Sequence, residues 1–315
     1  MSTPDLADAL EDRAALVASR AASRRFAEQH RLGAAWRWAD TALVGLETAD
    51  AEQVARRATL LLEDSAWVRA LLAPMMRALD GDRWFEPPWR VQRDGPRLGA
   101  VIYEHPALTI TGTLLTHIPG AAPTARLVVP GRLSVVRYQR GSGRVLLWRT
   151  EAAGPDFAAA SAPPIVPIGA VALRDGLVRR IDGRTHAQAI EGAERDLVML
   201  TATIHAGAAP FAREYDRASG KLLRVATLDH AAARAQLLLG FLRAAGRTEA
   251  APAFAAATEA PAYFLRWAAM REWLALDARA ALPRLRAMTE DANAEVRQAA
   301  RTMLPTVEAM LECRD

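Results

Sequence analysis

The sequence predicts an α+β protein in which an antiparallel β-sandwich or barrel lies between two helical segments. Apolar residues recur at helical spacing through the first eighty positions. From Trp84 to Leu228 short β-rich runs alternate with Gly/Pro turns, and helical spacing returns after Asp229. Many short strands with tight turns favour a sandwich or barrel over a parallel sheet with helical crossovers. At 315 residues the chain exceeds what a single core usually serves, so separate packed segments are expected at 1–82, 83–228 and 229–315.

Thr3 with Pro4 after it has the form of a helix start, and Leu6, Leu10, Ala14 and Val17 follow at helical spacing. Asp40, Asp50 and Ser65 are further cap candidates, the last opening the run Trp67, Val68, Leu71, Leu72 and Met75. Four helices fit before Asp80-Gly81-Asp82. His30 stands alone on a polar stretch and is expected at the surface.

Glu86-Pro87-Pro88 ends the helical pattern. Strands are expected at 100–103, 108–117, 132–139, 145–149, 170–181 and 197–205, separated by breakers such as Pro119-Gly120, Pro130-Gly131 and Asp182-Gly183. Gly141-Ser142-Gly143 reads as a hairpin turn between two of them. Beyond the strands, Asp229 can cap a helix carrying Leu237, Leu238, Phe241 and Leu242. Tyr263 to Trp267 with Trp273 form an aromatic-rich helix read chiefly as core.

Composition excludes several classes of function. The formal net charge is +4, but the basic residues are scattered among 36 acidic ones, and adjacent pairs such as Arg56-Arg57 and Arg179-Arg180 are isolated. That pattern reads as a mixed solvated surface, so no nucleic-acid binding is expected. No apolar run approaches the roughly 20 residues needed to span a bilayer. The N-terminal stretch carries Asp5, Asp8, Glu11 and Asp12 and no apolar region, unlike a signal peptide. A single cysteine, Cys313, cannot form an internal disulfide, and a cytoplasmic protein is expected. The sequence contains no Gly-x-Ser-x-Gly elbow, Walker-type loop, dinucleotide fingerprint or Cys-x-x-Cys pair.

Four stretches of the middle segment resemble the cupin superfamily, and within it the thiol-dioxygenase-like members. Leu108 to Gly120 is similar to the strand and Pro-Gly turn that lead into the first cupin motif. Val129 to Tyr138 is similar to the strand pair that closes that motif. Asp182 to Ala187 is similar to the second motif, with His186 at the position of its metal-binding histidine. Tyr215 to Gly220 is similar to the tyrosine-aspartate hairpin that follows. The resemblance implies a jelly-roll barrel and, in active members, a non-haem iron held in the lumen. The departure lies after the Pro-Gly turn. There the family's His-x-His pair is replaced by Ala121 to Leu127, which contains no ligand side chain. Near the C-terminus, Ala281 to Leu285 and Asp291 to Ala300 resemble a HEAT repeat over about Pro261 to Glu312. The resemblance implies that Val296 packs between helices, that Arg297 pairs with the turn carboxylate, and that the alanines allow close helix approach.

Two functional readings follow. In the first, a metal-free cupin-like barrel serves as a binding or scaffold protein without a cofactor. Thr201, Thr203, Arg137 and Arg184 are candidates for the lumen, and the helical lobe is a candidate surface for a protein or peptide partner. In the alternative, Fe(II) or another divalent transition metal is held by His117, His186 and His205 in an oxygenase with rearranged ligands. Such a site needs about three protein ligands converging on one point.

Overall fold

The computed structural model describes residues 6–120, 122–154 and 157–313, with side chains from Asp12 onward. Thr3 and Pro4 lie outside the described residues. Contacts divide the chain into two units. The first holds the described residues up to Thr124, Arg132–Trp148 and Pro167–Ala208; the second holds Ala125–Gly131, the described part of 149–166, and the described residues from Ala209.

The first unit opens with helices α1 (Leu6–Arg31), α2 (Ala34–Leu43), α3 (Ala51–Glu63) and α4 (Ala66–Gly81). Asp50 caps α3 through a reciprocal box. Its carboxylate accepts from the Gln53 amide at 2.8 Å, and the Gln53 side chain accepts from the Asp50 amide at 3.3 Å. Asp40 is not a cap. It lies inside α2 and accepts a hydrogen bond from the Tyr103 hydroxyl at 2.5 Å. Nor is His30 a surface residue: it is only 8% exposed and stacks on Phe26. Its isolation in sequence hid aromatic neighbours brought in by other elements.

Six antiparallel strands follow in one sheet: β1 (Val91–Asp94), β2 (Arg97–His105), β3 (Leu108–Leu115), β5 (Leu133–Arg140), β8 (Val178–Asp182) and β10 (Leu197–Ile204). Their order is β1-β2-β3-β10-β5-β8. A second sheet, ordered β7-β6-β9, comprises β7 (Val166–Ala172), β6 (Arg144–Arg149) and β9 (His186–Glu191). The run expected as one strand over 170–181 is therefore two strands in different sheets, separated by a turn at Gly176 with φ +77°.

Gly141 to Gly143 is not a hairpin turn, because β5 and β6 pair in different sheets. The chain crosses between sheets in close contact. A Cβ on Gly141 would stand 1.9 Å from Leu197 Cδ2, and one on Gly143 would stand 2.7 Å from the Glu191 carbonyl oxygen. Both glycines have positive φ, so shape and conformation select them together.

The period of two gives the six-stranded sheet two different faces. Leu108, Ile110, Leu133, Val135, Leu200, Ala202 and Ile204 are buried in one cluster with Val54, Ala58, Leu61 and Leu62 of α3. Each fully buried aliphatic side chain contributes about 1.5–3 kcal/mol of transfer free energy, which fixes the register of the sheet under the helices. Val198 shares their parity but lies near the start of β10 and is 36% exposed.

The second unit carries the three-stranded sheet β12-β11-β4, formed by β12 (Leu222–Thr227), β11 (Phe211–Asp216) and β4 (Arg126–Val129). Helices α5 (His230–Ala244), α6 (Ala251–Ala257), α7 (Tyr263–Leu276), α8 (Ala278–Met288) and α9 (Ala294–Glu312) follow. Asp229 caps α5 as expected, accepting from the Ala232 amide at 2.9 Å. However, Leu237, Leu238 and Phe241 of that helix point outward, while Leu239 is buried. The helical core is built from Phe254, Met270, Ala281, Leu285, Val296 and Ala300 among others. The Asp291 carboxylate is held by Arg266, not Arg297, through bonds of 2.7 and 2.9 Å. Arg297 instead donates to the Asp291 and Ala292 carbonyls.

Candidate functional site

The other face of the six-stranded sheet is the candidate site. The β10–β3 register sets Thr201 opposite Thr111, Thr203 opposite Thr109, and Met199 opposite Thr113. The β10–β5 register sets Val136, Ser134 and Tyr138 beside the same three rows. In turn, Val136 pairs with Arg179 of β8. The face thus changes character along the strands. At one end Leu197, Met199, Val136 and Tyr138 are buried with Val145 of β6; at the other, Thr109, Thr111, Thr201 and Thr203 are half-buried hydroxyls.

Three polar atoms stand where the two halves meet. Thr113 Oγ1, Tyr138 Oη and Arg179 Nη1 are buried and have no hydrogen-bond partner among the described residues. Register puts Thr113 and Tyr138 on either side of Met199, and Arg179 diagonal to Tyr138. Burial pushes the Tyr138 phenol up to about 12, against the opposing pull of the Arg179 charge. At neutral pH the phenol is therefore a donor and not a base. A buried donor without a partner costs about 1–3 kcal/mol, so such atoms call for an explanation.

Thr201 and Thr203 lie on this face, as the strand period predicts. Arg137 does not. Alternation turns it toward the helices, where Nη1 donates to the Leu62 and Glu63 carbonyls at the end of α3. It acts there as a clamp between helix and sheet, so its guanidinium does not face the hydroxyl-lined side. Arg184 is also committed elsewhere. Its Nε and Nη2 both reach the Asp182 carboxylate at 2.7 Å, and this pair holds Asp182 below the usual carboxylate range.

The three histidines are not brought together. Among the described residues no group of three or more His, Cys, Asp or Glu side chains is placed to hold a metal. His205 uses both ring nitrogens. A carbonyl can only accept, so Nδ1 donates to the Pro106 oxygen at 2.8 Å, and in the neutral ring Nε2 accepts from Thr109 Oγ1 at 2.9 Å. His186 belongs to β9 in the other sheet, and its Nδ1 lies 3.1 Å from the Asp182 carbonyl oxygen. His117 follows β3 and is anchored through its backbone amide to Asp196 at 2.8 Å. These residues do not fit the iron site that the cupin resemblance implies.

Thr113, Tyr138 and Arg179 were not singled out from the sequence. The available signal was the period of two. It separates Arg179 from Arg180, whose guanidinium pairs with Glu52 of α3 on the helix side.

No family model matches the sequence, and no curated protein matches it. Partial likenesses to solved structures exist. Hydroxypropylphosphonic acid epoxidase from S. wedmorenis, in complex with fosfomycin, is 10% identical with a TM-score of 0.25, over 37% of this chain and 55% of that one. The chain therefore spans little more than half the length of that enzyme. Hydroquinone 1,2-dioxygenase in complex with Cd2+ and 4-hydroxybenzonitrile is 17% identical with a TM-score of 0.26, over 34% and 64%. A cysteine peptidase from Thevetia peruviana latex gives 13% and 0.21, over 31% and 50%. Likenesses of this size carry no argument about fold or chemistry. Among the described residues no helix is long and apolar enough to cross a membrane.

Proposed function

We propose that the protein is a non-catalytic binding protein that holds a small polar molecule on the hydroxyl-lined face of the six-stranded sheet. One observation carries this reading: Thr113 Oγ1, Tyr138 Oη and Arg179 Nη1 are buried, on one face, and without partners among the described residues. They offer hydroxyls and a guanidinium, which suits a ligand rich in acceptor oxygens. The same face offers no activated nucleophile, and its one imidazole, His205, is occupied on both nitrogens.

In this reading the strands form a cupin-like barrel that no longer uses a metal. The helices α7 to α9 form a HEAT-like lobe for a protein or peptide partner. Burial of Val296 and Ala300 supports the second element, and Tyr263, Trp267 and Arg271 line an open groove beside them.

The double variant Thr113→Val, Tyr138→Phe tests the proposal, because it removes two unpartnered hydroxyls while preserving shape. The variant is expected to be as stable as the parent, or more stable by about 0–1 kcal/mol. It is also expected to lose a small molecule that native mass spectrometry detects on the parent as purified. A parent carrying no small molecule, or a variant that retains it fully, would overturn the reading.

A further inference from the structure

We infer that the first unit contains a second binding site, under α1 and α2, for a single-ring aromatic carboxylate bearing a hydroxyl group. A cavity of about 150 Å³ lies there, walled by His30, Trp36, Trp89 and Tyr103 with Ile102. A cavity of about that volume has room for one six-membered ring. The aromatic walls already pack against one another, tilted or edge to face. Trp36 lies 5.0 Å from Tyr103 and 6.2 Å from His30 between ring centroids, so a further flat ring continues an existing arrangement.

Two polar atoms of the wall give the site its hydrogen-bonding character. His30 Nε2 and Trp89 Nε1 are both buried and have no partner among the described residues. Trp89 Nε1 can only donate. Burial lowers the His30 pKa, so the ring is neutral at pH 7 and Nε2 takes one hydrogen bond in either tautomer. A hydroxyl oxygen satisfies both groups. It accepts from the indole, and it donates to or accepts from the imidazole as the tautomer requires. An ether or halogen cannot do this for both tautomers.

The mouth supplies the charge. Arg31 and Arg90 line the opening, both are exposed, and among the described residues neither makes an ion pair. Glu104 is the one acidic residue beside them, which leaves the rim with a surplus of positive charge. A carboxylate on the ring would meet a guanidinium there, in the planar geometry that arginine favours.

Isothermal titration of the full chain with 2-, 3- and 4-hydroxybenzoate tests this inference, with benzoate and phenol as controls. One isomer is expected to bind at a 1:1 ratio, about tenfold or more tighter than either control. Trp89→Phe keeps the wall and removes the donor, and is expected to weaken that isomer by about tenfold while leaving benzoate unchanged. Arg31→Gln with Arg90→Gln is expected to abolish the preference over phenol. Circular dichroism confirms that each variant is folded. No heat from any of the three isomers at millimolar concentration would overturn the proposal. So would binding that neither variant changes.

Discussion

Removing Arg266 should destabilise the helical unit by about 3–5 kcal/mol, the cost of leaving one partner of a buried ion pair uncompensated. The side chains of Arg266 and Asp291 are 14% and 7% exposed, so water cannot replace what is lost. Arg266 donates twice to the carboxylate, and once each to the Ala260 and Pro261 carbonyls at 3.0 and 3.2 Å. Burial alone would push the Asp291 carboxyl up, but the Arg266 hydrogen bonds, the Asn293 amide and the Arg266 and Arg284 charges together outweigh it, and the carboxyl sits below its usual range. A depressed carboxyl contributes stability that is fully present above its unfolded value near ~4, and lost as pH falls through the folded value. In Arg266→Met the strongest opposition to burial is gone, only the Asn293 amide and the Arg284 charge remain, and the carboxyl rises. Protonation then relieves the penalty, and the gap between variant and parent narrows as pH falls toward 4. Urea unfolding followed by far-ultraviolet circular dichroism at pH 7 and pH 4.5 measures both quantities. The double variant Arg266→Met, Asp291→Asn should recover most of the loss, because no buried charge remains. A single variant within about 1 kcal/mol of the parent at pH 7, or a gap that does not narrow on acidification, would refute this reasoning.

Gly141→Ala should cost about 1–3 kcal/mol or more in the same unfolding assay, since its Cβ meets Leu197 at 1.9 Å at a φ of +147°. A neutral result would contradict the close crossing at Gly141. Asp50→Ala removes the capping box of α3 and should cost about 1 kcal/mol, with Asp50→Asn close to the parent. His30 should make the first unit lose stability on acidification. Its pKa is lowered in the folded protein, so below 6.5 the unfolded chain binds a proton that the folded chain does not. His30→Gln should flatten the stability profile in that range, as followed by thermal unfolding between pH 5 and 7.

The sequence was most legible where one period and one cap agreed. Asp50 and Asp229 start helices because their carboxylates accept amides three positions on, a purely local relation. The buried parity of Leu200, Ala202 and Ile204 was readable for the same reason: strand alternation needs no knowledge of partners. Sheet membership was not readable. Gly141 to Gly143 carries the composition of a hairpin, but its glycines serve a crossing whose neighbours, Leu197 and Glu191, come from about fifty residues away. Arg137 misled for a related reason. A cation on a strand looks like a ligand anchor until α3 ends above it and supplies two carbonyls. His30 and Trp89 could not be paired from sequence, because they are 59 positions apart and meet only through the packing of α1 against the segment before β1. The hydroxyl rows of β3 and β10 were half visible: Thr201 and Thr203 stood out on their own strand, while Thr113 and Tyr138 needed the register.

The central claim, binding without a resident metal, is tested most directly by elemental analysis of protein purified without a metal-affinity tag. The analysis is repeated after anaerobic incubation with ferrous iron and on the His186→Ala, His205→Ala variant. The account predicts well under one equivalent of any transition metal in every sample, with no difference between parent and variant. About one equivalent of iron, nickel, copper or zinc in the parent, lost in the variant, would contradict it and establish the histidines as ligands.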